Sequence, residues 1–367
     1  MKARRQWVAT AILAMGLLLT FGCNSNKVAD NERPVAAGGG GGNELIGAGS
    51  TFVYPIMSRW IADFQAKNPS VRINYQSIGS GGGIQQLSKG LVQFAASDMA
   101  LDDQKAQQIE GGVVQVAESA GPVCITYNLP DLKQPLKLSP ASLSGIFLGT
   151  ITKWQDAQIT KDNPGVNLPN TPIAVAHRSD GSGTTNIFTT YLSEVNPQWK
   201  DKVGQGLSVK WPVGLGGKGS EGVTGIVKQQ PGAIGYVELT YAETNNLPVA
   251  LVQNQAKQFV KPSAESTEKA IDAFSDQLAQ DVRKPIVNPP ASAKDAYPIS
   301  GLTFLIIPKN GNDPNKQREI KKFVSYVLQD GQSIASQLHY APLPDSLRQV
   351  EMKLLSEIQA GRTAAGM

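Results

Sequence analysis

Residues 178–185 have the sequence Arg178-Ser179-Asp180-Gly181-Ser182-Gly183-Thr184-Thr185. This segment follows an apolar run at residues 173–176, which predicts a buried strand, and precedes a helical pattern at residues 186–192. The segment is therefore a turn of small residues between a strand and a helix N-terminus. That end of a helix has backbone N–H groups without partners and the positive end of the helix dipole.

The composition of this turn suits a small anion. Its glycines let the backbone approach a ligand closely, its Ser and Thr hydroxyls add donors, and Arg178 supplies a planar guanidinium fork. On this segment alone, an ordinary capped helix beside an exposed arginine is equally compatible, because Ser and Thr are common helix caps.

The same kind of turn occurs twice more. Gly49-Ser50-Thr51 lies between a predicted strand and an amphipathic helix at residues 55–64. Ser80-Gly81-Gly82 lies between an alternating strand at residues 71–76 and a helix predicted from Ile84. Ligands of open α/β sheets bind at the carboxyl ends of strands. Three such turns predict one site of backbone and hydroxyl donors.

The N-terminus has the pattern of an export signal. Three cations precede the apolar run Trp7–Phe21, which is too short to span a membrane. Cys23 follows directly and resembles a bacterial lipoprotein cleavage site, although Thr20 stands where Leu is usual. We expect a signal peptide at residues 1–22 and a lipid on Cys23, with plain cleavage nearby as the alternative.

Residues 23–43 include five consecutive glycines and predict a flexible linker. Removing residues 1–22 removes three positive charges and no acid, so the formal charge falls from +4 to +1. Without a Lys/Arg run, nothing indicates a nucleic-acid partner. The remaining chain exceeds one typical domain, which predicts two lobes.

Other notable residues suggest structural roles. Cys124 lies in a strand-like run and is expected to be a small buried hydrophobe. Trp154, Trp199 and Trp211 are expected to pack in the core or at an interface. The glycine-rich run at residues 214–220 is not a P-loop, because Gly219 follows its lysine. It could form a loop beside the cleft or a docking surface.

The chain resembles the phosphate-binding proteins of bacterial high-affinity phosphate ABC transporters, the PstS family. The likeness covers nearly everything after the linker. The matching runs are Gly47–Phe52, Tyr75–Gly83, Phe94–Asp98, Ile146–Gly149, Lys153–Trp154, Arg178–Thr184, Trp211–Gly219, Pro231–Glu238 and Leu343–Asp345.

The resemblance implies a role for each residue at the site. Hydroxyl and backbone N–H groups would donate to the anion, Arg178 would pair with its oxygens, and Asp98 would be the one carboxylate touching it. Asp180 would hold the Arg178 guanidinium without touching the ligand. His177, where the family often has Arg, is expected to be structural. The implied phosphate ligands are Thr51, Phe52, Ser80, Asp98, Arg178, Ser182, Gly183 and Thr184.

A carboxylate in an anion site has a chemical reason. An ionised Asp98 only accepts hydrogen bonds, and phosphate near neutral pH still carries a proton to donate. Sulfate has no such proton and would leave Asp98 unpaired beside like charge. Taken alone, Asp98 is better explained as a helix cap before residues 101–103 than as a ligand.

The implied fold is α/β: a two-lobed periplasmic-binding-protein (Venus-flytrap, type II) fold with two crossover hinge strands. Lobe I would comprise residues 44–121 and 299–367, and lobe II residues 122–298, closing around the anion. Residues 299–308 predict a strand, and periodicity predicts helices at residues 268–281, 317–329, 331–338 and 346–359.

The implied function is an extracytoplasmic, periplasmic or cell-surface binding protein that delivers inorganic phosphate to membrane permease subunits. We expect a monomer without cofactor or metal. The alternatives are a protein for another oxyanion, such as sulfate or arsenate, a phosphate-processing hydrolase, or an adhesion lipoprotein. The hydrolase is disfavoured by the absence of HExxH and of a Gly-x-Ser-x-Gly elbow at Ser182.

Overall fold

The computed structural model of the protein describes residues 44–360. The expected signal peptide (1–22), the linker (23–43) and Cys23 lie outside these residues. None of the helices within the described range is long and apolar enough to cross a membrane.

Short strands alternate with helices along the described chain, as the sequence pattern predicts. The strands are β1 (Glu44–Gly49), β2 (Arg72–Ser77), β3 (Phe94–Ser97), β4 (Val113–Tyr127), β5 (Lys137–Leu138), β6 (Ala174–Arg178), β7 (Leu215–Gly217), β8 (Ala233–Glu238), β9 (Leu251–Gln253), β10 (Phe259–Val260), β11 (Ser300–Pro308), β12 (Asn310–Gly311) and β13 (Gln359–Ala360).

The helices cover the faces of the sheet. They are α1 (Tyr54–Lys67), α2 (Ser80–Ser88), α3 (Asp103–Gln108), α4 (Pro140–Leu148), α5 (Ala157–Asp162), α6 (Gly183–Val195), α7 (Pro197–Lys202), α8 (Gly219–Gln229), α9 (Leu239–Thr244), α10 (Ala264–Ala273), α11 (Ser275–Gln280), α12 (Pro314–Leu328), α13 (Gln332–Gln337) and α14 (Asp345–Leu354), followed by a 3₁₀ turn at Leu355–Glu357.

Eight strands form the main sheet in the order β2-β1-β3-β11-β4-β8-β6-β7. The β1, β2 and β3 strands are parallel to one another, and so are β6, β7 and β8. The long strand β4 connects the two groups, because its first part pairs antiparallel with β11 and its last part with β8. Each parallel group therefore presents its own set of carboxyl ends.

The core lies between the sheet and its helices. Trp154 and Trp199 are fully buried, and Trp211 is partly buried against the same apolar cluster, which confirms their predicted packing role. Cys124 is buried in β4 and unpaired, and its thiol donates to the Val237 carbonyl at 3.2 Å. These side chains pack in the core.

Several element boundaries differ from the predictions. Helix α2 begins at Ser80 and includes the glycines before Ile84, because Gly79 takes the positive φ of 84° that starts the turn. Helix α6 likewise begins at Gly183, three residues earlier than its apolar pattern indicates. The single helix predicted at residues 268–281 is wrong: α10 ends at Ala273, and the backbone of the next residue, Phe274, leaves the helical region before α11 begins at Ser275.

The glycine-rich run at residues 214–220 is also more regular than a loop. It forms β7, a short connection at Lys218, and the start of α8. It is a fourth turn from a strand to a helix built of small residues.

Trp60 provides a test of the core. Its side chain is fully buried and its indole Nε1 donates to the Gly331 carbonyl at 2.8 Å. We expect Trp60→Ala to lower the free energy of unfolding in urea by about 3–5 kcal/mol, because it leaves a cavity and an unpaired carbonyl. Leu91→Ala, at a side chain 61% exposed, should cost less than about 0.5 kcal/mol. Equal losses in the two variants would contradict this assignment of the core.

Candidate functional site

The carboxyl ends of the first parallel group place three predicted residues close together. Thr51, Ser80 and Asp98 follow β1, β2 and β3, and all three are at least 95% buried. Parallel strands end at the same edge of a sheet, so the turns after them share one location. The structure thus brings together the three side chains that the sequence separates by almost fifty residues.

The second parallel group contributes the N-terminus of α6. Ser182 is the helix cap: its Oγ accepts from the Thr185 N–H at 3.1 Å, and its own N–H donates to the Leu207 carbonyl at 2.8 Å. Within the first turn of this helix, the Thr184 hydroxyl is buried and has no hydrogen-bond partner among the described residues. A buried hydroxyl without a partner is costly unless something binds it.

Arg178 ends β6 and is held in place by Asp180. The guanidinium donates through Nε to Asp180 Oδ1 at 2.8 Å and through Nη2 to Oδ2 at 2.6 Å. Burial raises the pKa of Asp180, but the hydrogen bonds and charge of Arg178 outweigh it and leave that pKa below its usual value. The Arg178 side chain is only 2% exposed, so this bidentate pair fixes one buried positive charge.

Asp98 is a buried carboxyl surrounded by donors. Ser50 Oγ donates to its Oδ1 at 2.5 Å, and Ser80 Oγ lies 3.4 Å from Oδ2. Burial raises the pKa of Asp98 to about 7, while the Ser50 hydrogen bond, the charge of Arg178 and the Ser80 hydroxyl act in the opposite direction. Asp98 therefore changes its charge in the neutral pH range.

The two strand groups contact each other directly at this point. The Gly183 N–H donates to Ser80 Oγ at 3.1 Å, and the Gly81 N–H donates to the Gly181 carbonyl at 2.9 Å. A Cβ at Gly183 would lie 2.5 Å from an Asp98 oxygen, and one at Gly81 would lie 3.0 Å from the Gly181 Cα. Only glycine permits this approach.

Thr51 and Phe52 complete the predicted set. Thr51 Oγ1 lies 2.8 Å from Ser220 Oγ in the other strand group. The Phe52 ring is buried edge-on against Tyr340, whose hydroxyl donates to the Phe52 carbonyl at 2.6 Å. Neither the Thr51 N–H nor the Phe52 N–H donates to an acceptor within residues 44–360.

The predicted donors are thus in different states. Among residues 44–360, Thr184 Oγ1 and the amides of Thr51 and Phe52 have no partner, whereas Ser80 and Gly183 are bonded to each other. A bound anion could accept hydrogen bonds from the first three donors without breaking any bond. To accept from the Gly183 N–H, it would have to replace Ser80 as the acceptor.

Sequence reasoning did not identify several polar residues at the site. Ser50 bonds Asp98, Ser220 bonds Thr51, and the Gly219 N–H donates to Asp180 Oδ1 at 2.9 Å. Tyr236 accepts from the Arg178 N–H at 3.1 Å. Ser50 lies inside one of the three turns of small residues that the sequence indicates. Gly219-Ser220 has the same pattern of small residues before a helix, and this pattern could have identified it as a fourth turn at the site.

His177 precedes Arg178 in β6, and its ring contacts are with Trp211 and with the backbone. Its ring stacks on Trp211 with centroids 4.9 Å apart, and its Nδ1 lies 3.1 Å from the Arg178 carbonyl. These contacts fit the expected structural role.

A model described as the PBP superfamily domain matches residues 34–330. The phosphate-binding protein PstS of Xylella fastidiosa (strain Temecula1) is 43% identical over 318 residues, covering 86% of each chain. The chain belongs to the PstS family. The PstS protein of Pasteurella multocida is 40% identical over 319 residues and covers 86% of this chain and 91% of its own.

A solved structure confirms the fold. A high-affinity periplasmic phosphate-binding protein (PfluDING) bound with phosphate superimposes with a TM-score of 0.67 at 21% identity, covering 88% of this chain and all of its own. The expected α/β, two-lobed periplasmic-binding-protein fold is therefore confirmed.

Ser50 allows a test of how the charge of Asp98 is set. The Ser50 hydrogen bond favours the ionised carboxylate, so Ser50→Ala should raise the Asp98 pKa from about 7 by roughly one pH unit. Carboxyl carbon NMR of Asp98 across a pH titration would measure this change. Ser58→Ala, on the exposed side of α1, is the matched control and should leave the titration unchanged. An unaltered Asp98 pKa in Ser50→Ala would contradict the role given to this bond.

Proposed function

We propose that this protein captures inorganic phosphate between its two lobes and delivers it to a membrane permease of the ABC type. The proposed lobes comprise residues 44–121 with 299–367 and residues 122–298. The proposed phosphate ligands are Thr51, Phe52, Ser80, Asp98, Arg178, Ser182, Gly183 and Thr184, with Asp180 holding Arg178.

One observation carries this proposal: polar groups from both strand groups surround a single buried carboxyl, Asp98. Ser50 and Ser80 contact it from the first group. The backbone N–H of Thr184 and the charge of Arg178 act on it from the second. The part of the chain that the structure describes offers no hydrogen-bond partner to the Thr184 hydroxyl of the second group or to the amides of Thr51 and Phe52 in the first. The fixed charge of Arg178 also belongs to the second group. Such a set matches a tetrahedral oxyanion, which offers several acceptor oxygens in different directions.

Asp98 narrows the choice of anion. A protonated oxyanion can donate its hydrogen to the carboxylate, whereas sulfate cannot. Phosphate therefore fits better than sulfate. Arsenate has the same shape and the same kind of proton, so Asp98 does not discriminate against it.

The relatives support the physiological setting. The PstS proteins that resemble this chain are named phosphate-binding proteins, and one solved relative is an ABC-type phosphate transport receptor from Vibrio cholerae. A binding role without catalysis, outside the cytoplasm, follows from membership of this family. We further propose that the chain acts as a monomer and is anchored to the membrane by a lipid on Cys23.

Calorimetric titration tests the function directly. Residues 44–367, freed of carried-over anion by unfolding and refolding, would be titrated with phosphate and then with sulfate. We expect tight binding of one phosphate per chain and no heat from sulfate. Equal binding of both anions would remove the selectivity argument, and binding of neither would refute the proposed function.

The Asp98→Asn variant tests whether Asp98 sets the preference for phosphate over sulfate. The asparagine can donate a hydrogen bond and carries no charge, so it should no longer penalise sulfate. We expect the preference for phosphate over sulfate to shrink by about 10- to 100-fold, corresponding to one buried charged group left unpaired. Asp131→Asn, at an exposed position, should leave the preference unchanged. Undiminished discrimination in Asp98→Asn would show that another group selects the anion.

A further inference from the structure

Strand β4 contains an irregularity beside the site. Its pairing with β11 shifts register so that Ser119 faces Thr303 while Ala117 faces Phe304. Glu118 is the extra residue between them and has no partner in the ladder. A bulge of this kind bends the strand and redirects one side chain.

The redirected side chain is a carboxyl in an unusual environment. Glu118 is fully buried, and neither of its carboxyl oxygens has a hydrogen-bond partner among residues 44–360. Its backbone carbonyl, in contrast, accepts from Gln332 Nε2 of α13 at 2.9 Å. The backbone of the bulge is therefore fixed, while the acid it carries is unsatisfied. A buried carboxyl without partners is costly to ionise.

The groups facing Glu118 come from each element packed against it. Thr303 of β11 presents its hydroxyl without reaching hydrogen-bond geometry, and Asp98, after β3, acts on Glu118 through its charge. Tyr75 of β2 is influenced by both carboxyls and donates its own hydroxyl to the Ser50 carbonyl at 2.9 Å. Burial first, and then these two charges, raise the pKa of Tyr75 well above its usual value, so it stays neutral. No cation is among the described groups that act on Glu118.

Only strand β11 separates Glu118 from Asp98: Phe304 pairs with Ser97, the residue before Asp98, on one side and with Ala117, the residue before Glu118, on the other. Both acids are buried, and the charge of Asp98 reaches Glu118. Burial, opposed by the Thr303 hydroxyl and reinforced by the charge of Asp98, raises the pKa of Glu118 to about 8. Asp98 has a positive neighbour in Arg178 and hydroxyl donors, so it loses its proton first.

We propose that Glu118 sets the alkaline limit of phosphate binding: it is neutral when Asp98 first ionises, and its own ionisation adds a second buried negative charge across β11 from Asp98. This inference rests on the proposed phosphate function.

The direction of the pH dependence follows from the linkage between phosphate binding and the ionisation of Glu118. A bound phosphate anion repels the Glu118 carboxylate, so the Glu118 pKa is higher in the complex than in the free protein. The full affinity is present below the free-state pKa and falls as pH rises through it, levelling off above the pKa of the complex. Each pH unit of difference between the two pKa values weakens binding tenfold.

The experiment measures the phosphate dissociation constant of the full-chain protein by calorimetry between pH 6.5 and 9.5. Glu118→Gln keeps the size of the side chain and cannot ionise. Above pH 8 we expect wild-type affinity to fall about tenfold relative to Glu118→Gln. Comparing the two profiles cancels the ionisation of phosphate itself and of Asp98, which both proteins share.

Glu351→Gln is the matched control. Glu351 is also fully buried beside β4, and its Oε2 accepts from the Ala117 N–H at 2.8 Å, but Asp98 is not among the groups that act on it. Its pH profile should follow the wild type. If both Gln variants flatten the profile equally, the effect is not specific to Glu118 and the inference is wrong.

A second measurement needs no variant. If phosphate raises the Glu118 pKa, wild-type binding near pH 8.5 must take up protons, which calorimetry in buffers of different ionisation enthalpy detects. Phosphate binding without proton uptake, or with parallel wild-type and Glu118→Gln profiles, would overturn this inference and leave the proposed function intact. Absence of phosphate binding at every pH would overturn both.

Discussion

The bidentate pair between Arg178 and Asp180 is the interaction on which the site depends. It holds a guanidinium that is almost completely removed from water, and an unpaired charge at that depth would be strongly destabilising. Asp180 is itself held by the Gly219 N–H, so the pair also ties the end of β6 to the start of α8. The positive charge is thereby fixed before any anion arrives, which lowers the cost of ordering the site on binding.

Local chemistry made much of the site predictable. The conformation of a Gly-Ser-Thr turn between an apolar strand and a helical pattern can be predicted from sequence, because strand ends and helix caps depend on residues that are close together in the chain. The partners across the site were not predictable in this way. Thr51 and Ser220 are 169 positions apart, and the Glu118 bulge depends on the pairing of β4 with a strand almost two hundred residues later.

The boundaries that sequence patterns misplaced have one cause in common. Apolar periodicity locates the part of a helix that packs on the core, whereas α2 and α6 begin with small residues that face the site instead. Their first turns therefore lack the apolar signal. Phe274 shows the opposite case, since an apolar residue that suits a continuing helix lies where the backbone breaks between α10 and α11.

The contact between Gly81 and Gly181 has a consequence for how this molecule can change over time. Because the two backbones already touch there, the closest approach of the two strand groups at this point is a property of the main chain. Side-chain substitutions around this contact, other than at its glycines, can alter the charge and the hydrogen-bonding pattern of the site while this main-chain spacing stays the same. The chemistry of the site is thus open to gradual modification by substitution, while the main-chain spacing changes only where one of these glycines is replaced or the chain is inserted, deleted or rerouted.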